Sequence, residues 1–373
     1  MLYFDNAATT KPSKIALEKA EIFNSELYFN PSSLYLGGLN CAREIKDAKQ
    51  SILNNLGTTN HEVIFTSCGS ESDNMAIFCS VKRGVFVTDK GEHSAVYKSF
   101  LELKNRGQKI EFIDLNPDGS VDKNKLFEFV KNNKVDFVSI LHVNNETGAI
   151  NDVNDIAKKL KTINNKIIFH VDGVQAYGKI PFRLSQDIDL YSISAHKINA
   201  LKGTGALLKK KGVNLSPLIF GGGQENGYRS GTENIFGIKV FEYAGIEKYK
   251  NIRENYQKIK QLRDLFFEKL NKNLFTFISN ENCSPYILTV SAKGLRGEVV
   301  MHALEEQGVI VGNGSACSSK NRYSRVIESC GYDKDILDGV IRISFSQENT
   351  LDECLTLIEI LNKTVEKLKG ILS

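Results

Sequence analysis

The sequence of 373 residues contains no tryptophan, only three methionines and only six prolines, and it lacks any long hydrophobic run. A helix that crosses a bilayer needs about 18–20 consecutive apolar residues, and no segment approaches that length. Residues 1–5 have neither a basic region nor an apolar core of the kind found in signal peptides. We therefore expect no membrane segment and a cytoplasmic location.

An excess of one charge is also missing. The chain has 48 Lys and Arg against 44 Asp and Glu, which gives a net charge of +4 at pH 7. Proteins that bind nucleic acid usually carry a concentrated basic patch. The densest basic run, residues 209–211, follows an apolar stretch directly and is more typical of a solvated strand end. We expect no direct contact with nucleic acid.

The seven cysteines are odd in number and form no Cys-x-x-Cys pair. This spacing favours neither a zinc ribbon nor a disulfide framework, so we expect no metal site. Most of the cysteines are expected to be small buried hydrophobic residues. Cys317 differs, because residues 312–319 are almost all small and would leave its thiol accessible. A tight turn with an incidental cysteine is the alternative interpretation.

Over the first 250 residues, short apolar runs alternate with helical patterns. Such alternation predicts a mostly parallel sheet covered by helices on both faces. The segment from about 241 to 270 has the pattern of one long helix, after which a second, smaller set of strands and helices begins. The runs that we expect to be strands of the large sheet are residues 85–88, 110–113, 137–141, 167–171, 190–194 and 205–208.

Three of the predicted strands end in residues that suit a phosphate-bearing cofactor. Ser70 and Asp73 have the spacing of a capping box, which predicts the start of a helix. The N–H groups at a helix start can bind a phosphate. An ordinary capped helix without a ligand has the same pattern. Asp172 ends a buried strand, where a carboxylate can pair with a protonated ring nitrogen or simply stabilise a turn. Lys197 ends the next strand, and a sheltered lysine can lose its proton and form a Schiff base. Pyridoxal phosphate (PLP) enzymes require these three parts.

Other polar residues follow the same strands or lie within them. His93 comes just after the strand at 85–88 and is placed to stack on a cofactor ring and to move protons. His142 and His170 lie inside apolar runs, so we expect them to be hydrogen-bonded core residues. Arg342 lies in an apolar strand, and a buried arginine needs a partner, for which a substrate carboxylate is one candidate.

Taken in order, these motifs resemble the cysteine desulfurases, which are PLP enzymes of the class V aminotransferase superfamily. The likeness includes Asn-Pro-Ser-Ser at 30–33, Ser-Ala-His-Lys at 194–197 and Gly-Ser-Ala-Cys at 314–317. It extends over nearly the whole chain through residues 3–10, 67–74, 92–93, 142–148, 170–172, 175, 221–234 and 341–342. Three features depart from the usual pattern: Cys68 stands where the family usually has glycine, Tyr35 stands where it usually has histidine, and the segment after Cys317 is slightly shorter than in the longest-loop members.

The resemblance implies a role for each cofactor-binding residue. Lys197 would carry PLP on its amine, and His93 would stack on the ring. Asp172 would pair with the pyridine nitrogen and Gln175 with the phenolic oxygen, and Asn145 would lie beside the cofactor as well. The PLP phosphate would be bound by Gly69, Ser70, Ser194 and His196, and by Thr232 from the partner subunit of a homodimer.

The resemblance also implies the reaction. Asn145 and Arg342 would bind the carboxylate of L-cysteine, and Cys317 would take the sulfur as a persulfide while L-alanine leaves. The Gly-Ser-Ala-Cys-Ser-Ser form is similar to the branch that supplies iron–sulfur assembly or tRNA thiolation, so a scaffold or a thiolation enzyme would accept the sulfur. A selenocysteine lyase or another class V enzyme is the alternative activity, and a sulfur carrier without catalysis is an alternative of another class.

The pattern and the resemblance together predict an α/β fold in two domains. A large PLP-binding domain of residues 13–250 would contain a mostly parallel seven-stranded sheet covered by helices. A smaller α+β domain would combine residues 1–12 with residues 251–373 and would carry the Cys317 loop.

Overall fold

A seven-stranded sheet lies at the centre of the larger part of the chain, in a computed structural model that describes residues 1–313 and 323–372. The strands are β1 (Leu2–Phe4), β2 (His61–Thr66), β3 (Val85–Asp89), β4 (Lys109–Ile113), β5 (Phe137–Leu141), β6 (Ile168–Asp172), β7 (Leu190–Ser194), β8 (Gly205–Lys210), β9 (Phe275–Phe277), β10 (Ile287–Ala292), β11 (Val309–Val311) and β12 (Val340–Ser344). The helices are α1 (Lys14–Ala20), α2 (Ile22–Ser25), α3 (Leu36–Asn55), α4 (Gly69–Ser80), α5 (Ser94–Asn105), α6 (Lys123–Asn132), α7 (Val153–Ile163), α8 (Ile235–Lys250), α9 (Ile252–Lys269), α10 (Gly297–Glu305), α11 (Arg325–Ser329), α12 (Lys334–Asp338) and α13 (Leu351–Leu372).

The large sheet has the strand order β2-β8-β7-β6-β5-β3-β4. Strands β3 to β7 pair in parallel, and β8 runs antiparallel to both of its neighbours, β2 and β7. Every residue of β5 and of β7 is buried, because helices cover both faces of the sheet. This burial explains why both strands are continuous apolar runs in the sequence. The predicted α/β fold with a mostly parallel seven-stranded sheet is confirmed.

A second hydrophobic core forms around two smaller sheets. Strands β9, β10 and β12 make an antiparallel sheet, and β1 from the N-terminus pairs in parallel with β11. Phe4, Phe266 and Phe345 pack edge to face in this core, which the helices α9, α10 and α13 cover. The chain start thus packs with the C-terminal region. We propose the domain division of residues 13–250 against residues 1–12 with 251–373, which the separate cores support.

The single helix expected over residues 241–270 is wrong. The structure has two helices, α8 and α9, separated at Asn251, whose φ of −132° and ψ of 35° are not helical. Helix α8 packs against α3 in the first core, whereas α9 packs against α13 in the second. The chain must turn at Asn251 because its two halves bury their apolar faces in different cores. Across the described ranges, no helix is both long and apolar enough to cross a membrane.

Candidate active site

A cavity of about 380 Å³ opens where the parallel strands β5, β6 and β7 end. Carboxyl ends of parallel strands share one edge of the sheet, and ligands of open α/β sheets bind there. Ten of the residues that the sequence analysis assigned to the site line this cavity together: Gly69, Ser70, His93, Asn145, Asp172, Gln175, Ser194, His196, Lys197 and Arg342.

The amine of Lys197 is held by the main chain of the N-terminal segment. Lys197 lies in a short turn after β7, and its Nζ donates to the carbonyl oxygens of Ala7 and Ala8, both at 2.7 Å. Thr10 ties the same segment to this turn, since its N–H and its hydroxyl both donate to the His196 carbonyl. The resemblance had included residues 3–10 without giving them a role. Their contribution is to orient the lysine.

The start of helix α4 forms an anion cradle. A Cβ on Gly69 would lie 2.8 Å from Val174 Cγ2 and 3.3 Å from Ser194 Cβ, so only glycine fits beside these side chains. Ser194 Oγ is buried and has no hydrogen-bond partner among the described residues. A buried hydroxyl of this kind, next to the N–H groups of a helix start, suits a phosphate oxygen.

The capping box predicted for Ser70 and Asp73 is wrong. Helix α4 begins two residues earlier than expected, at Gly69, and Cys68 is its N-cap without a side-chain hydrogen bond. Glu71 instead accepts from the N–H of Ser67 at 2.8 Å. Cys68 has an extended backbone, with φ −173° and ψ 170°, which any residue adopts. The departure from the usual glycine therefore causes no backbone strain.

Asp172 ends β6 with its carboxylate buried beside the cavity. It accepts a hydrogen bond of 2.9 Å from the N–H of Val174. Burial raises its pKa to about 6, while Val174 and Lys197 act in the opposite direction. Near pH 7.5 the carboxylate is therefore negative, as pairing with a protonated ring nitrogen requires.

Asp73 is a site residue that the sequence analysis missed, because its spacing from Ser70 had been interpreted as a helix cap. Its side chain is buried, and one ligand atom each from Asp73, His93 and Asp172 lie within 4.8 Å of one another. Burial, and then the charge of Asp172, raise the pKa of Asp73 well above its usual range. That no metal binds here stays a prediction.

His93 is neutral in this site. Its Nδ1 accepts from the N–H of Ala95 at 3.2 Å and thereby caps helix α5. Burial, and after it the positive charges of Lys197 and Arg325, lower its pKa to about 4. The neutral ring carries its proton on Nε2, since Nδ1 is an acceptor.

Arg342 already has a carboxylate partner in the protein. Its Nη2 donates to Asp5 Oδ1 and its Nη1 donates to the Asn145 carbonyl oxygen, both at 2.8 Å. The sequence analysis had named only a substrate carboxylate and had missed Asp5. Arg342 Nε is buried without a hydrogen-bond partner in the part of the chain that the structure describes. This N–H is one of the donors that remain for an anionic ligand.

Of the other candidate histidines, one lines the cavity and two lie in the core, as expected. His196 lines the cavity, with its Nδ1 3.2 Å from Thr9 Oγ1, and burial followed by Lys197 lowers its pKa to about 4. His142 and His170 are buried core residues that hydrogen-bond to neighbouring side chains: His142 to Tyr191, and His170 to Ser139 and Ser192.

Thr232 is exposed and does not line the cavity, so its predicted phosphate contact requires a second subunit. Cys317 lies outside the described residues.

A comparison with protein families identifies the chain. The sequence profile of the family described as aminotransferase class-V matches residues 2–357. The chain belongs to the class-V aminotransferase family. The cysteine desulfurases of this family are PLP-dependent enzymes, and the glycine cradle, the buried carboxylate and the oriented lysine fit that cofactor.

Curated relatives match this member of the class-V aminotransferase family over nearly its whole length. It is 35% identical over 384 residues to the cysteine desulfurase IscS of Dictyoglomus turgidum, with 99% of this chain and 96% of the relative covered. It is 33% identical over 381 residues to a cysteine desulfurase of Nostoc sp., with 100% and 94% covered. The resemblance to the cysteine desulfurases is confirmed.

Solved structures agree with the fold. A NifS-like protein superposes with a TM-score of 0.91 at 32% identity, with 98% of this chain and 99% of that chain covered. A structure described as SspA in complex with cysteine superposes with a TM-score of 0.81 at 27% identity, with 94% and 100% covered.

Proposed function

We propose that the chain is a PLP-dependent cysteine desulfurase that converts L-cysteine to L-alanine and keeps the sulfur as a persulfide on Cys317. One observation carries the proposal: the oriented Lys197 amine, the Asp172 carboxylate and the cradle at Gly69 meet in one cavity. They do so in a chain whose curated relatives are cysteine desulfurases over nearly their whole length.

Each part of the cavity has a task toward the cofactor. PLP, when bound, supplies an electron sink for bond breaking at the substrate's α carbon. Gly69 and Ser194 would hold its phosphate, and Lys197 would hold its carbonyl carbon covalently. The negative charge of Asp172 would keep the pyridine nitrogen protonated, because a carboxylate and a cationic ring nitrogen stabilise each other.

Lys197 and His93 would move the protons in this reaction. The carbonyl groups of Ala7 and Ala8 direct the Lys197 amine into the cavity, where it would take the α proton of the substrate. His93 is uncharged near neutral pH and lines the same cavity, where its Nε2–H would donate a proton.

Substrate recognition would use Arg342 and Asn145. The buried Arg342 Nε has an N–H to offer to the substrate carboxylate, and Asn145 lines the cavity beside it. Asp5 holds the guanidinium in place through Nη2. An arginine that is already oriented loses little side-chain freedom when the carboxylate binds.

Sulfur transfer would be carried out by Cys317. Its thiolate attacks the substrate sulfur, the bond from the β carbon to sulfur breaks, and the electron pair stays on the carbon skeleton. The β carbon would take up a proton and the α carbon would regain the one that Lys197 removed, so that L-alanine leaves while the sulfur stays on Cys317 as a persulfide. A thiolate is required because the thiol is a poor nucleophile.

A direct assay tests this function. The purified protein should be yellow after PLP loading, and with a thiol reductant it should release alanine and sulfide from L-cysteine in equal amounts without any keto acid. Alanine production that needs a keto acid would contradict the proposal. Activity on selenocysteine with none on cysteine would instead support the selenocysteine lyase alternative, which the named relatives do not favour.

We also propose a homodimer with composite active sites. Thr232 is exposed, as a residue that reaches a neighbouring subunit must be before assembly. Leu34, Tyr35, Leu36 and Phe220 expose between 56% and 90% of their surface, and large exposed apolar residues of this kind mark association surfaces. Light scattering of the PLP-loaded protein should give twice the chain mass. An active monomer would exclude the composite site.

The sulfur acceptor is proposed to be an iron–sulfur scaffold or a tRNA-thiolation enzyme, as the IscS name of one relative supports. Transfer of radiolabelled sulfur from L-cysteine to each candidate protein tests this assignment. Label that stays on the desulfurase with both candidates would contradict it.

A further inference from the structure

A buried lysine that the mechanism does not use lies directly behind the cofactor cavity. Lys179 is 5% exposed, and its Nζ donates to Gln175 Oε1 at 2.8 Å. Gln175 is 3% exposed and lines the cavity, whereas Lys179 does not. The two residues lie four positions apart in the turns that follow β6, so one short segment places both.

The Gln175 amide is held at both of its ends. Its Nε2 donates to the Ala7 carbonyl oxygen at 2.9 Å, and its Oε1 accepts from Lys179. The Ala7 carbonyl is the same group that receives the Lys197 amine. A flipped amide would bring Oε1 against the Ala7 oxygen, two acceptors without a hydrogen between them. Only one orientation satisfies every partner.

This orientation decides which group the amide offers to the cavity. Lys179 occupies the acceptor atom of Gln175, and the Ala7 carbonyl uses one of the two N–H bonds. The second N–H bond is the donor that remains. A ligand oxygen with negative charge therefore meets a donor and not a carbonyl oxygen.

We infer that Lys179 is a positioning residue that fixes the Gln175 amide so that its N–H group serves the anionic phenolic oxygen of the cofactor. This inference rests on the proposed function. Lys179 acts here as a hydrogen-bond donor and not as a counter-charge. No carboxylate among the described residues pairs with it, and its charged neighbours are Lys197, Lys248 and Arg342. Burial and these positive charges lower the pKa of Lys179 well below its usual range.

The experiment measures the pH midpoint of the visible absorption band and the PLP dissociation constant of the loaded protein. The variants are Lys179→Met, Gln175→Leu and the double variant. Loss of one oriented donor should raise the midpoint of Lys179→Met by about 0.5–1 pH unit and weaken PLP binding about 3–10-fold. In the Gln175→Leu background, Lys179→Met should change neither quantity further, because the residue through which it acts is gone.

Lys248→Met is the matched control. Lys248 is also a buried lysine, at 7% exposed, and burial lowers its pKa to about 8, but it makes no hydrogen bond to Gln175 in the described structure. It should leave the midpoint unchanged. If Lys179→Met does not fold, Lys179→Leu, which also lacks a hydrogen-bond donor, should give the same shift.

The possible results separate the inference from the function. A wild-type protein that takes up no PLP overturns both. If the wild type binds PLP and is active, but Lys179→Met has the same pH midpoint as the wild type, the inference alone is overturned. A shift that persists in the Gln175→Leu background also overturns the inference alone, since Lys179 would then act through its charge.

Discussion

The carboxylates of Asp73 and Asp172 lie within 4.8 Å of each other, and both side chains are at least 98% buried. Asp172 accepts an N–H from Val174 and lies near Lys197, both of which favour its ionised form. The main neighbouring charge that acts on Asp73 is Asp172 itself, which favours a protonated Asp73. Of the two carboxylates, Asp172 is therefore the one whose surroundings favour the negative charge.

Replacement of the two acids by asparagine should have opposite outcomes. Asp73→Asn resembles the protonated acid and should keep PLP and stay within about threefold of wild-type activity at pH 7.5. Asp172→Asn removes the charge and should lower activity about 100-fold or more, since loss of one partner of a buried ion pair costs about 3–5 kcal/mol. Steady-state rates and PLP content check this, and equal losses in both variants would contradict the charge assignment.

The same assignment predicts how stability depends on pH. The pKa of Asp172 rises from 3.8 to about 6 on folding, so the folded chain binds this proton more tightly than the unfolded chain. The contribution is fully present below pH 3.8 and is lost as the pH rises through about 6. In the cofactor-free protein, Asp172→Asn should flatten the decline of the melting temperature over this range. An unchanged slope would show that other groups cause the decline.

Lys197→Ala should abolish covalent attachment of PLP. The variant removes the amine that Ala7 and Ala8 orient, so no visible band should form and borohydride should trap no PLP peptide. Lys202→Ala is the control, because Lys202 is exposed only a few residues away. A trapped peptide that contains Lys202 or Lys179 would show that another lysine carries the cofactor.

Cys317→Ser should separate cofactor binding from sulfur transfer. The serine variant should keep the PLP spectrum and still bind cysteine, yet make no persulfide and almost no alanine, because a hydroxyl is a far weaker nucleophile toward sulfur. Mass spectrometry after cysteine treatment without reductant checks the persulfide. Cys330→Ser is the control, since Cys330 is buried and burial raises its pKa to about 12. A persulfide on Cys330 or Cys68 would place the nucleophile elsewhere.

Gly69→Ala should weaken PLP binding about tenfold or more. The new Cβ would press on Val174 and Ser194, and overpacking of this kind costs about 1–3 kcal/mol. Equilibrium dialysis with PLP measures the change. Gly370→Ala in α13 is the control, because a Cβ there meets none of the described atoms within 4 Å. Unchanged binding in Gly69→Ala would place the phosphate away from the start of α4.

Much of the fold was predictable because it depends on local pattern. Strands buried on both faces must be apolar throughout, so β5 and β7 were recognisable as runs of residues. Asp172 and Lys197 were recognisable because a polar residue directly after such a strand must lie at the edge where ligands bind. The turn at Asn251 was not, because residues 241–270 keep a helical pattern and only the choice between two cores separates α8 from α9.

The sheet, the strand ends and the residue types gathered there could be inferred from the sequence, because they depend on the period and polarity of neighbouring residues. What each of these residues contacts depends on how distant parts of the chain pack. Ala7 meets Lys197 and Asp5 meets Arg342 across 190 and 337 positions of chain. No local pattern records such pairs, because they arise only when the two cores pack and bring the N-terminal segment to the cavity.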